Sequence, residues 1–287
     1  MKSAKYRVLS LSAFLLGLAA LPIAAAPASD PNEVDISLVI ATDVSYSVDE
    51  NENRFQREGA IAAFRSPELI QAIKSGSLGR IAVTYLDFSS YASNRVVVNW
   101  QIVHDKESAE AFADILAGAR RTHGVQTSIS SGIEIGAKLL EASPYKAARR
   151  VIDVSGDGPN NDGRLVDGVR DEVIAKGIVI NGLPIVTEQD KFDVYYLEDL
   201  DRYYAGCVIG GPGAFLQVAN GFEDLARAVR RKLILEISGL QPEPRQTGII
   251  RVAANVARPA PKKGTVYERG CDIGERMRYG AGPARGR

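Results

Sequence analysis

Apolar and polar positions along this chain alternate between two periods. From Val34, VDISLVIATD is a near-continuous apolar run closed by an acid, the pattern of a strand buried on both faces. RFQREGAIAAFRSPELIQAIKSG then spaces Phe55, Ala62, Ala63 and Ile70 as one face of an amphipathic helix, interrupted at Pro67. RIAVTYLDFS returns to the strand pattern, and NRVVVNWQIV alternates as an edge strand does. SAEAFADILAGAR and SISSGIEIGAKLLEAS read as helices, RRVIDVSGD as a strand, GRLVDGVRDEVIAKG as a helix and GIVINGLPIV as a strand. After a loop-rich stretch, AFLQVA is a short strand, and FEDLARAVRRKLILEISG gathers Phe222, Leu225, Val229, Leu233 and Ile237 on one helix face.

Strands alternating with helices of this length make βαβ units. The expected class over 34–240 is therefore α/β, a doubly wound, mostly parallel sheet with helices on both faces. Beyond Gly239, the stretches QPEPRQ, ARPAPKKG and GAGPARGR carry no sustained period, which predicts an irregular, basic, Pro/Gly/Arg-rich tail over 241–287. No internal repeat is visible.

The first residues change the picture of where the chain works. Lys2, Lys5 and Arg7 precede LSLSAFLLGLAALPIAAAPA, which ends in small residues, the layout of a secretory signal peptide over 1–28. As a membrane anchor the run is short and broken by Pro22, and no later stretch is apolar enough to span a bilayer. A periplasmic or secreted protein is expected. In such a compartment Cys207 and Cys271 read either as a disulfide or as two buried thiols.

The formal net charge is zero, but residues 29–240 hold 22 basic and 31 acidic side chains, while 241–287 hold 10 and 4. An acidic body argues against nucleic-acid binding, and the basic tail reads as a solvated segment. Oligomeric state is not legible.

In an open parallel sheet, ligands bind beyond the carboxyl ends of the strands. Asp43 ends the first strand, Ser45 and Ser47 follow it, Thr127 precedes a helix, and Asp157 ends another strand. In a strand-to-helix turn, alternate side chains point the same way, so D-x-S-x-S aims three oxygens together. This is hard-oxygen chemistry, suited to Mg²⁺, Mn²⁺ or Ca²⁺ rather than Zn²⁺. Each residue alone has a plainer role: Ser47 and Glu50 form an S-x-x-E capping box, Thr127 can cap a helix, and GDGPN is ordinary turn chemistry. Asp43 is the exception, because an acid ending a buried strand needs a partner or solvent.

Asp43-Val44-Ser45-Tyr46-Ser47, with Thr127 in TSISSGI and Asp157-Gly158 after an apolar strand, resembles the metal-ion-dependent adhesion site of von Willebrand factor type A domains. The whole chain is also similar to an exported bacterial family of uncharacterised function built on that fold (DUF1194). The resemblance implies a binding module, not an enzyme. It would hold a divalent cation, Mg²⁺ first, through Asp43, Ser45, Ser47, Thr127 and Asp157, and take a carboxylate of a protein partner as the last ligand. Tyr46 stands where the family often has glycine, and Thr187–Gly213 is longer and more polar than a simple connection. The alternative is a metal-dependent hydrolase or phosphoryl-transfer enzyme. Against it, no nucleophile pairs with a base, and the loop lacks the second acid of a D-x-D motif. With only His104 and His123, a histidine-based centre or triad is not expected. Tyr195, Tyr196, Tyr203 and Tyr204 read either as local packing or as a contact surface.

Overall fold

The run from Val34 forms β1 (Glu33–Asp43), and it can be apolar throughout because both of its faces are covered. Alternate side chains enter different cores, Leu38 and Ile40 on one side of the sheet and Val39 and Ala41 on the other. The computed structural model describes residues 30–46, 50–186, 194–239, 249–251 and 267–280. The sheet and its helices belong to the unit Asn32–Arg287; the leader expected over 1–28 lies outside the described residues. No helix among them is long and apolar enough to cross a membrane.

β1 pairs in parallel with β2 (Ile81–Phe88) on one side and β4 (Lys146–Gly156) on the other. Beyond β2 lies β3 (Asn94–Val103), an antiparallel edge strand of mixed exposure. Beyond β4 come β5 (Val179–Val186), β6 (Phe215–Gln217) and the antiparallel β8 (Ile249–Arg251), while β7 (Ala219–Asn220) pairs in parallel with the end of β5. The order β3-β2-β1-β4-β5-β6-β8 reverses direction at β1. The crevice past the ends of β1 and β4 is therefore where such a sheet offers a site.

The interruption expected at Pro67 separates α1 (Glu50–Phe64) from α2 (Pro67–Lys74); Ser66 caps the second helix, accepting the Leu69 N–H at 3.3 Å. α3 (Lys106–Gly118) starts with a reciprocal cap between Asp105 and Ser108. It packs on α1 with α7 (Phe222–Ser238), over a core where the Phe64 and Phe112 rings lie 4.4 Å apart. α4 (Ile129–Glu141) and α5 (Val166–Ile174) cover the opposite face. Leu225, Leu233 and Ile237 of α7 are buried, as the sequence pattern requires.

The tail departs from its irregular reading in two places. It supplies β8, and residues 267–280, which include α8 (Ile273–Arg278), pack on the body through buried Tyr267 and Ile273. Cys271 is disulfide-bonded to Cys207, across a sequence separation of 64. Cys207 lies in a single π-turn, Tyr204–Val208, that follows α6 (Leu200–Tyr203). Of the tyrosines, Tyr203 and Tyr204 are core residues and Tyr195 and Tyr196 are half-buried; the first two therefore pack locally, with Tyr203 edge-on to Tyr267 at 5.5 Å.

Candidate metal centre

Asp43, the last residue of β1, has no solvent exposure (0%). Its Oδ1 accepts the Ser45 N–H at 2.8 Å, a local turn that carries the chain out of the sheet. Its Oδ2 is buried and meets no hydrogen-bond donor among the described residues. Ser45 is buried as well, and its hydroxyl accepts from Thr127 Oγ1 at 2.9 Å. Ser47 lies outside the described residues, while Tyr46, between the two serines, is 82% exposed.

Thr127 immediately precedes Ser128, the N-cap of α4, and a paired contact with the loop after β4 sets its backbone. Its N–H donates to Asn161 Oδ1 at 2.9 Å, and its carbonyl accepts the Asn161 N–H at 2.8 Å. The neighbouring Asn160 Oδ1 accepts from Ser130 N at 2.9 Å, so two buried amide side chains join this loop to the start of α4.

Asp157 directly follows Gly156, the end of β4, and is half-buried. A Cβ on Gly156 would lie 2.8 Å from Tyr204 Oη and 3.1 Å from both Cβ and Oδ2 of Asp43. A side chain there would push the β1 and β4 ends apart; glycine lets them close. Burial raises the Asp43 carboxyl well above the usual carboxylate range, and the charge of Asp157 raises it further. The Ser45 N–H, and the nearby hydroxyls of Ser45 and Thr127, oppose this only in part. Tyr204 is raised likewise, by burial first and then by the same two acids.

Asp43, Ser45, Thr127 and Asp157 thus meet at the switch point between β1 and β4, from three loops. Among the described residues, no group of three or more His, Cys, Asp and Glu side chains is placed to hold an ion. A cation here would meet two carboxylates and hydroxyl oxygens, all hard donors. His123 is an exposed loop residue. Sequence reasoning missed Gly156, Tyr204, Asn160 and Asn161; in DGPNN the asparagines look like turn formers, and nothing local says that their amides turn inward.

Several solved structures share the fold. The pilus adhesin SpaC of Lactobacillus rhamnosus GG aligns with TM-score 0.52 at 14% identity, over 71% of this chain and 31% of that one. Proximal thread matrix protein 1 of the mussel byssus gives 0.50 at 15% identity, over 71% and 46%. A von Willebrand factor type A protein from Catenulispora acidiphila gives 0.49 at 13% identity, over 71% and 43%. The chain therefore spans less than half the length of each. No curated protein matches its sequence. The chain shares its fold with the pilus adhesin and the byssus protein, and the family model described as "Protein of unknown function (DUF1194)" matches residues 33–241, most of the chain, so this protein belongs to the DUF1194 family.

Proposed function

We propose that the protein is an exported binding module that holds a divalent cation, Mg²⁺ first, at Asp43, Ser45, Ser47, Thr127 and Asp157, and uses it to bind an acidic group of a protein partner. The observation that carries the reading is Asp43: a fully buried carboxylate with an unpartnered Oδ2, set against a second acid. Burying a charge this way is costly unless something compensates it, and a cation between the two acids would do so. With only two carboxylates and several hydroxyls in the set, the ion would keep enough positive charge to attract one more carboxylate. Tyr46 and Val125, 82% and 76% exposed, stand beside this position on neighbouring loops, which are joined by the Gly124 N–H to Val44 carbonyl bond of 2.7 Å. They offer an apolar rim for a partner's flanking side chains.

The chain's own residues divide the work. Asp43 and Asp157 supply charge, Ser45 and Thr127 supply neutral oxygens, and the backbone turn at Ser45 fixes the direction of Asp43.

Calorimetric titration with Mg²⁺ and Mn²⁺, followed by capture of partners with and without EDTA, tests the reading. Heat of binding that disappears in Asp43→Ala, with capture lost in EDTA and in Thr127→Ala, is the expected result. No heat in the wild type, or capture indifferent to both EDTA and Asp157→Ala, sinks it. Turnover of generic phosphate or ester substrates would favour an enzyme instead.

A further inference from the structure

The Asn160-Asn161 turn, which fixes the Thr127 backbone, is itself held from behind. Glu275 Oε1 on α8 accepts from Asn160 Nδ2 at 2.7 Å. Arg278 Nη1 donates to Asn161 O at 3.1 Å and to Asp162 Oδ1 at 2.5 Å. Tyr203 Oη accepts the Asn160 N–H at 3.1 Å and donates to the carbonyl of Cys271 at 3.4 Å. The approach is close: a Cβ on Gly274 would lie 2.0 Å from the Asn160 carbonyl oxygen. Only a residue without a side chain allows this seating. Further along, Tyr267 Oη and Arg269 Nη1 both donate to Asp199 Oδ1, at 2.8 and 3.0 Å, and the Cys207–Cys271 bond fixes the segment to the π-turn.

We propose that residues 267–280 form a disulfide-anchored clasp that positions Thr127: the clasp holds Asn160 and Asn161, and their side-chain oxygens hold the Thr127 and Ser130 amides. Its effect on ion binding rests on the function proposed above; its hold on the two amides does not. Asn160 is 0% and Asn161 2% exposed, so neither amide group can trade its protein partners for water without opening the loop. Asn160, Asn161 and Glu275 are positioning residues, acting on the site through Thr127 rather than as ligands. Partners of this kind are typically worth about 10–100-fold in metal affinity.

The test compares amide hydrogen exchange in the full-length chain and its variants, read by NMR at Thr127 and Ser130 against the interior amides of β1 and β4. Gly274→Ala wedges the clasp off while leaving the disulfide intact. Cys207→Ser with Cys271→Ser releases its anchor, and Glu275→Ala keeps the test open if either of the others fails to fold. Exchange at Thr127 and Ser130 should quicken at least about tenfold beyond any change in β1 and β4, because their acceptors are freed. Glu275→Gln, which keeps an acceptor oxygen, should stay near wild type. Mn²⁺ affinity by calorimetry should fall about 10–100-fold in Gly274→Ala. Wild-type exchange at both amides in the folded variants, or equal acceleration throughout β1 and β4, overturns the clasp. If the wild type takes up no Mn²⁺, the ion reading fails, and amide exchange alone decides the clasp.

Discussion

Arg57 and Asp87 give the sharpest energetic prediction, because their pairing is dry. The Arg57 Nη2 to Asp87 Oδ2 distance is 2.7 Å, with side chains 3% and 2% exposed. Arg57 Nη1 also donates to the carbonyls of Ala119 and Arg120, at 3.0 and 3.3 Å, linking α1 to the loop that leads to Thr127. Burial outweighs the attraction of Arg57, leaving the Asp87 carboxyl raised, and its Oδ1 has no hydrogen-bond partner among the described residues. Asp87→Ala would strand a guanidinium in the interior at a cost of about 3–5 kcal/mol. For a domain of this size that lowers the melting temperature by roughly 6–20 °C. Arg57→Met with Asp87→Leu removes both charges. Its cost should be only about 1–3 kcal/mol, because what remains is the loss of donors to two carbonyls. Arg120 O even keeps Arg95 Nη1, at 2.9 Å. Urea unfolding of the wild type, both single variants and the double variant closes the cycle. A double variant as unstable as the sum of the singles, or an Asp87→Ala loss below about 1 kcal/mol, would refute the account of a pair held by mutual compensation.

Asp43→Asn should melt at or above the wild-type temperature without divalent ions and show no upward shift when millimolar Mg²⁺ is added, because the buried charge and the main ligand of the proposed ion go together; differential scanning fluorimetry reads both. Asp153 lies against Lys232 and near Glu236, and burial pushes its carboxyl up to about 7. Since that is above its unfolded value, the folded state binds the extra proton. The contribution of Asp153 to stability should be fullest below about pH 4 and be lost as pH rises through about 7, and the difference in urea midpoint between wild type and Asp153→Asn should change with pH accordingly. Breaking the Cys207–Cys271 bond by double Ser substitution should cost roughly 4 kcal/mol on the loop-entropy model, and an unchanged denaturant midpoint would count against it.

The strands and main helices were legible because their signals are local. An unbroken apolar run marks a strand with both faces covered, as in β1, and Pro67 with Ser66 marks a helix restart. The turn from Asp43 to Ser45 was equally readable, since their spacing is a property of one segment. The buttress behind it was not. Asn160 and Asn161 act through side-chain amides on residues some thirty positions earlier in the chain, and Tyr204 reaches the site from the π-turn. The seating of 267–280 rests on a disulfide and on the missing side chain of Gly274, neither of which produces a period in hydrophobicity. A short helix such as α8, held by the body rather than by its own pattern, reads as tail from sequence alone.

The hydroxyls of Ser45 and Thr127 meet 2.9 Å apart although 82 positions separate them in the chain. No local fragment can assemble that pair; the sheet must first bring β1, β2 and the start of α4 together, a long-range closure that comes slowly in folding. A cation that needs both oxygens would therefore engage after the rate-limiting step. Stopped-flow refolding should run at the same speed with and without Mg²⁺, whereas unfolding should slow. In that kinetic sense an ion held there would be a latch on the lifetime of the finished domain, not a seed for its formation.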